Sequence, residues 1–323
     1  MIDKIKLMPK VELHLHLDGS ISIELASKLS GLSKEECFEK IVAPDKCSDL
    51  GEYLTKFAFP ISLMQTKENL ELIASDLVNR LVKENVIYAE IRFAPMFHTK
   101  KGLKVDEIIE AVLKGLNSNK NIKTNLILSL KRECNLFDNL KIITLARKYL
   151  HKGVCAIDLA GDEKKYPLEY SYLYFKLAKK YHIPFTIHAG EVKVSEIKKA
   201  IYLKAKRLGH GVKIIDDDKL MKFIKDKKIL LEICPTSNIQ TNVFKEYINH
   251  PVKDFFDKDI LFSVSTDNST ISNITLTEEY IKLYRTFNFT LADFKKMNIN
   301  AVNYAFLDNL EKKALIDKIE SFN

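Results

Sequence analysis

A (β/α)8 barrel is the fold the sequence predicts, and three observations lead to it. Eight short, near-continuous apolar runs recur along the 323 residues, amphipathic stretches separate most of them, and polar residues gather where the runs end. Strands that read apolar throughout are buried on both faces, the condition of a parallel sheet wrapped by helices. An open doubly wound sheet would place a glycine-rich phosphate turn after the first strand, and "LDGSIS" is not G-x-G-x-x-G.

The elements follow in order. "VELHLHL" (11–17) reads as the first strand, and 67 residues lie between Asp18 and the next, "VIYAEIRFAP" (86–95). Residues 19–85 exceed an ordinary βα connection several times over, so they are expected to form extra helices above the barrel, including the aromatic segment "EYLTKFAFPISL". Long insertions on that face usually shape or cover a site. Further strands are read at "TNLILSLKR" (124–132), "VCAIDLAG" (154–161), "PFTIHAG" (184–190), "RLGHGVKI" (207–214), "ILLEICPTS" (229–237) and "ILFSVSTD" (260–267). Stretches such as "VDEIIEAVLKGL" and "SEIKKAIYLK" carry apolar residues at three- and four-residue spacing and read as the helices between them. No low-complexity linker divides the chain, so 1–323 is read as one barrel domain with 19–85 as a helical insertion or lid.

Composition narrows the function classes. Hydrophobic residues at 46% and charged residues at 29% are those of a soluble globular protein. No apolar run approaches the roughly 18 residues of a membrane helix, and "MIDKIKLMPK" lacks the apolar core of a signal peptide, so a cytoplasmic location is expected. Five cysteines, odd in number and without a C-x-x-C pair, suggest reduced thiols rather than a disulfide framework. The net charge of +8 raises the question of nucleic acid, yet only six of the 51 basic residues are arginine and the lysines are dispersed. A solvated lysine-rich surface is the better reading. Neither nucleic acid, membrane nor an obligate protein partner is indicated.

The chemistry is concentrated at the strand ends, where a barrel builds its active site. In "VELHLHLDGS" the period of two turns His14 and His16 to the same side, opposite Leu13, Leu15 and Leu17. Two imidazoles side by side in a half-buried strand each need polar partners, and a shared metal ion satisfies both. An isolated His-x-His is equally well an ordinary surface pair. The later strands decide: the fourth ends "DLAGDE", the fifth "HAGE" with His188 and Glu191, the sixth "GHG" with His210, the seventh "CPTSN", and the eighth "STDN" with Asp267. Imidazoles and a carboxylate meeting at one mouth suit a borderline divalent ion, zinc above all, with a position left for water. His98, His151 and His182 fall in a loop or on expected helices and His250 precedes a proline, so none of these is expected to bind metal.

These motifs, from "MPKVELHLHLDG" to "STDNSTISNITLTEEY", resemble the adenosine deaminase family of the bacterial type, over nearly the whole chain and in the right order. The resemblance implies a (β/α)8 barrel with one catalytic zinc per chain, releasing ammonia from adenosine or 2′-deoxyadenosine in purine salvage. It makes His14, His16, His188 and Asp267 the zinc ligands, Glu191 the proton donor to the purine ring and His210 the histidine beside the attacking water. It also assigns Gly161 to a backbone contact with the purine, Asp18 to the ribose, and Leu54 and Phe57 to an apolar gate, with His16 at the substrate edge. Elementary chemistry agrees. C6 of adenosine is a poor electrophile, so the reaction needs a nucleophile stronger than neutral water, which a zinc centre supplies. Attack at C6 pushes electron density onto N1, so a protonated carboxyl there stabilises the adduct, and Glu191 must hold a proton in a dry pocket.

One position departs from part of the family: Asn268 stands where animal members carry a second Asp. That position faces the acceptor N7, to which an amide donates at any pH, so Asn268 remains compatible with purine binding. Deaminases of adenine or of N6-substituted aminopurines are the nearest rivals, and "CPTSNIQT" with Asp18 favours the nucleoside enzymes. A binuclear amidohydrolase would want a lysine at the end of the fourth strand, and "VCAIDLAGDE" has none before Lys164. A catalytically inactive ligand-binding barrel would be expected to have lost a ligand or the acid, and all are present.

Overall fold

In a computed structural model describing residues 1–323, eight parallel strands follow one another in sequence order. They are β1 (Lys10–His16), β2 (Val86–Phe93), β3 (Lys123–Lys131), β4 (Val154–Ala160), β5 (Ile187–Ala189), β6 (Arg207–His210), β7 (Leu230–Ile233) and β8 (Phe262–Val264). Each neighbouring pair within β1–β4 and within β5–β8 is a parallel ladder. The two halves are joined by backbone bonds at both seams. Thr186 N–H reaches Ile157 O at 3.1 Å, and His16 N–H reaches Asp267 O at 2.7 Å while Asp267 N–H returns to His14 O at 2.9 Å. The sheet therefore closes into a (β/α)8 barrel, and its closing seam is made by the metal-type residues themselves.

Strands β5 to β8 are shorter than their apolar runs. Pro235 occupies the first turn of the helix Pro235–Gln240, where its fixed φ and missing N–H fit, so β7 stops at Ile233 and residues 235–237 are helical. Gly211, at φ 67°, turns the chain after His210 into the 3₁₀ helix Val212–Asp216. A run of apolar residues thus reported burial correctly but not where the ladder ended.

The barrel interior is polar in its lower layers. Arg92 and Arg207 are fully buried and pair across it. Arg92 Nη2 donates to Glu232 Oε2 at 2.8 Å and its Nη1 lies 3.3 Å from Asp158 Oδ2; Arg207 binds Glu232 Oε1 at 2.6 Å and Glu90 Oε2 at 2.5 Å. Beneath them the helix Leu291–Tyr304 packs against β1 and β8 and closes the floor, with Asn298 Oδ1 accepting the Val11 N–H at 2.8 Å. The apolar core lies between the strands and the outer helices.

Five helices occupy the long β1–β2 connection: Ile23–Ser30, Lys34–Ile41, Leu50–Thr55, Ala58–Leu63 and Lys67–Lys83. The last joins the outer ring beside Val105–Leu116, an approach so close that a Cβ on Gly115 would sit 2.3 Å from the Glu71 carbonyl. Leu50–Thr55 and Ala58–Leu63 instead lean over the C-terminal mouth, where Tyr53, Leu54, Phe57 and Ile61 face the cavity. All five cysteines are unpaired. No helix is long and apolar enough to cross a membrane.

Candidate active site

A cavity of about 600 Å3 opens at the C-terminal mouth, within the roughly 300–1,000 Å3 of small-molecule sites. His16, His188, His210, Asp267, Glu191 and Asp18 line its floor, Gly161 and Asn268 its sides, and Leu54 and Phe57 its roof. His14 lies just beneath, fully buried. The loop geometry that aims these side chains is unusual. His210 and Asp267 both hold positive φ, 60° and 62°, a region non-glycine residues seldom adopt, so the strand ends turn their side chains inward under backbone strain.

The imidazoles are oriented from below. His14 Nδ1 lies 2.9 Å from Glu232 Oε2, and His188 Nδ1 lies 2.8 Å from Asp158 Oδ2. A carboxylate accepts, so each Nδ1 carries the proton and each Nε2 offers a lone pair toward the mouth. Those lone pairs face other acceptors. His14 Nε2 and His16 Nε2 each lie 3.4 Å from Asp267 Oδ1, His16 Nε2 lies 3.3 Å from His188 Nε2, and His14 Nε2 is buried without a hydrogen-bond partner. Bonds of about 2.0–2.1 Å to a tetrahedral centre give donor–donor edges of about 3.3–3.4 Å, so the spacing fits a cation of zinc size. Charge points the same way. The interior sets the carboxylates of Glu90, Asp158, Glu232 and Asp267 against two guanidiniums, an excess of negative charge that a cation offsets. His210 also has a ring nitrogen in this group, within 4.8 Å of donor atoms of His14, His188 and Asp267. Its protonation differs from theirs: Nδ1 faces the Asn238 amide nitrogen at 3.1 Å, a donor.

Glu191 stands on the other side of His210, with Oε2 3.7 Å from His210 Nε2 and Oε1 3.2 Å from the Thr241 hydroxyl. Burial, then the charges of Asp267 and Glu163, raises its carboxyl well above the usual range, the direction a proton donor needs. Burial also raises Asp18, to about 6, against the opposing pull of Lys131, and Asp18 Oδ1 has no hydrogen-bond partner. Asn268 packs so tightly on Gly19 that a Cβ there would lie 2.0 Å from Asn268 Oδ1. The glycine of "LDGS" therefore makes room for the side chain that borders Asp267.

Several residues of the site escaped sequence reasoning. Ser237 donates to Asp267 Oδ2 at 2.7 Å, leaving Oδ1 to face the imidazoles, and fully buried Tyr53 bonds Ser272 at 2.6 Å beneath the roof. Glu232, Asp158, Arg92 and Arg207 carried one available signal, a charge set inside an otherwise apolar strand. Of the histidines set aside, His151 and His182 lie at turns with positive φ, and His98 binds the Met64 carbonyl at 3.0 Å. His250 is buried and bonds Asn238 at 3.3 Å.

Comparison with known proteins identifies the family and the fold. The family model described as adenosine deaminase matches residues 9–322. An adenosine deaminase of Clostridium botulinum (strain 657 / Type Ba4) is 41% identical over 329 residues, 98% of this chain and 99% of its own length. One from Clostridium perfringens (strain ATCC 13124) is 40% identical, covering 95% and 97%. Among solved structures, the apo N6-methyl-AMP deaminase of Arabidopsis thaliana superposes with a TM-score of 0.86 at 26% identity, over 99% of this chain and 98% of that one. The adenine deaminase of Arthrobacter aurescens reaches 0.89 at 21% identity over 97% and 98%, a likeness of fold.

Proposed function

The chain belongs to the adenosine deaminase family, and from that premise we propose that it hydrolyses the 6-amino group of adenosine and 2′-deoxyadenosine with one zinc ion per chain. The products are inosine or 2′-deoxyinosine and ammonia. Family membership makes the protein a hydrolytic enzyme acting on a cyclic amidine. His14, His16, His188 and Asp267 hold the metal in this reading. Imidazole and carboxylate donors at these spacings suit zinc, and the excess of negative charge beneath them supports a cation. When bound, such an ion lowers the pKa of a coordinated water from about 15.7 to about 7.

The chain's own residues do the rest. Asp267 accepts the proton of the attacking water, and His210 donates a hydrogen bond to its oxygen. Glu191 gives its proton to N1 as electron density arrives there from C6, which its raised pKa supports. The Asn268 amide donates to N7, the Gly161 backbone borders the purine, and Asp18 accepts from a ribose hydroxyl. Leu54 and Phe57 exclude water from the roof. The meeting of a His/Asp cluster with a buried carboxyl of raised pKa in one cavity carries this reading.

Two lysines at the mouth, Lys100 and Lys131, raise the alternative of a nucleotide substrate such as an N6-substituted AMP. Lys131 is already paired with Glu133 at 3.4 Å and lies over the Phe97 ring, and a phosphate there would meet the carboxylates of Glu133 and Asp18. This favours the uncharged nucleoside. Five unpaired cysteines suit a cytoplasmic enzyme of purine salvage that acts on free small molecules, with neither nucleic acid nor membrane as partner. Residues 1–323 then work as one domain, with Leu50–Thr55 and Ala58–Leu63 of the 19–85 insertion as its lid. Metal analysis together with ammonia release from adenosine, 2′-deoxyadenosine, adenine and N6-methyl-AMP tests the proposal. Metal-dependent turnover of the two nucleosides supports it, and no ammonia from adenosine overturns it.

A further inference from the structure

We propose that Asn238 and His250 form a buried relay that locks His210 in the Nε2–H tautomer, making His210 an obligate hydrogen-bond donor to the attacking oxygen. The inference rests on the deaminase reading for what that donor does, but the lock itself follows from hydrogen-bond direction alone. It starts at a group whose direction is not open to choice. The Val252 backbone N–H donates to His250 Nδ1 at 3.2 Å, so that nitrogen must be an acceptor. Burial holds the His250 pKa down to about 3, so the ring is neutral and its single proton sits on Nε2. His250 Nε2 lies 3.3 Å from one end of the Asn238 amide, which must then be the carbonyl oxygen. The NH₂ end is thereby turned to His210 Nδ1 at 3.1 Å and makes it an acceptor too. An amide orientation and two ring protonations, ordinarily matters of assignment, are here fixed in sequence by one main-chain proton.

The relay is shielded from competing partners. Asn238 is fully buried, His250 is 2% exposed, and the Phe244 ring packs edge-on against His250 at 5.3 Å. With Nδ1 filled by the amide and Nε2 protonated, neutral His210 has no free lone pair. It can neither ligate a metal through Nε2 nor take a proton from water. His14 and His188 are set the opposite way by carboxylates, so one cluster contains imidazoles of both polarities, lone pairs inward for the metal and one N–H inward for the reacting oxygen. The proton leaving the water therefore goes to Asp267. Asn238 and His250 touch neither substrate nor metal and are positioning residues.

The test is nitrogen-15 NMR of the metal-loaded protein labelled at histidine, with the His210 signals assigned by their loss in His210→Asn. The lock predicts a bare Nδ1 and a protonated Nε2 on His210. Asn238→Asp replaces the donor with an acceptor, so the His210 pattern should invert. Metal content should hold, and kcat for adenosine should fall about 10²–10³-fold, the usual loss for removing one such donor, with little change in KM. Should that variant fail to fold, the spectrum of the unmodified protein decides alone. A protonated Nδ1 in an active enzyme would overturn the relay, as would an inverted pattern in Asn238→Asp with kcat unchanged. Inactivity of the unmodified protein on adenosine would instead refute the substrate reading while the tautomer stood.

Discussion

Replacing Glu191 by Gln preserves the shape of the side chain and removes only its transferable proton. In the folded protein that carboxyl is buried, 3.7 Å from His210 Nε2 and 3.2 Å from the Thr241 hydroxyl. Its raised pKa has a stability consequence with a definite sign. A carboxyl whose folded pKa exceeds its unfolded pKa binds more protons when folded, so its contribution falls as pH rises from the unfolded value toward the folded one. Above the unfolded pKa the unfolded carboxyl is ionised, and folding must either recover its proton or bury its charge, which costs free energy. Glu191→Gln removes that cost, so the variant should melt at the same temperature as the parent or higher. Turnover should behave oppositely. An amide still hydrogen-bonds N1 but delivers no proton, and general-acid contributions are about 10²–10⁴-fold, or about 2.7–5.4 kcal/mol of barrier. The assay is the steady-state conversion of adenosine to inosine, with metal content and thermal melting on the same preparation. A loss below about tenfold, or a large loss explained by lowered stability, would refute the role given to Glu191.

Other outcomes follow from the same geometry. Removing the metal leaves the interior carboxylates in excess, so chelation should abolish activity and lower the unfolding free energy, by about 4 kcal/mol if free metal had stood at 1,000 times its Kd, read as a lower melting temperature; His16→Ala should lose metal and turnover together, measured by elemental analysis and the adenosine assay. Arg207→Ala leaves Glu90 without its cation and Glu232 with Arg92 alone, and should cost about 3–5 kcal/mol in denaturant melts. Asp18 has a folded pKa raised to about 6, so its contribution to stability is lost as pH rises toward that value, and Asp18→Asn should gain stability at pH 7 relative to the parent but not at pH 3. A bound cation pulls that pKa down, so in the loaded enzyme the Asp18-dependent fall of kcat/KM for adenosine should begin at or below pH 6 and vanish in the Asn variant.

Much of this molecule was written in short sequence motifs because a barrel places its chemistry at strand ends. His14-x-His16, "HAGE" and "STDN" each put candidate site side chains in the last residues of a strand or just past its end, and closure of the ring brings them to one mouth. Local sequence is informative there because position along the strand already specifies position in space. The supporting residues were hidden for the converse reason. Glu232 orients His14 across the barrel, and Asn238 and His250 act on His210 through side-chain contacts between elements, which no periodicity records. Ser237 looked like part of a strand, yet Pro235 starts a helix there and carries the serine to Asp267. His250 lay outside the metal cluster, as the sequence suggested, while its buried position gave it a partner that sequence spacing could not disclose.

The central claim is that this mouth is built around a purine nucleoside rather than a free base. Steady-state kcat/KM for adenosine and for adenine, measured on one metal-quantified preparation, tests it most directly. Binding energy from the ribose at Asp18, remote from the reacting carbon, should hold C6 in place, so removing the sugar should lower kcat as well as weaken binding. The account predicts efficient turnover of adenosine, far slower turnover of adenine, and an Asp18→Ala variant that loses most of the first while leaving the second nearly unchanged. Equal efficiency on adenine and adenosine in the unmodified protein would contradict it.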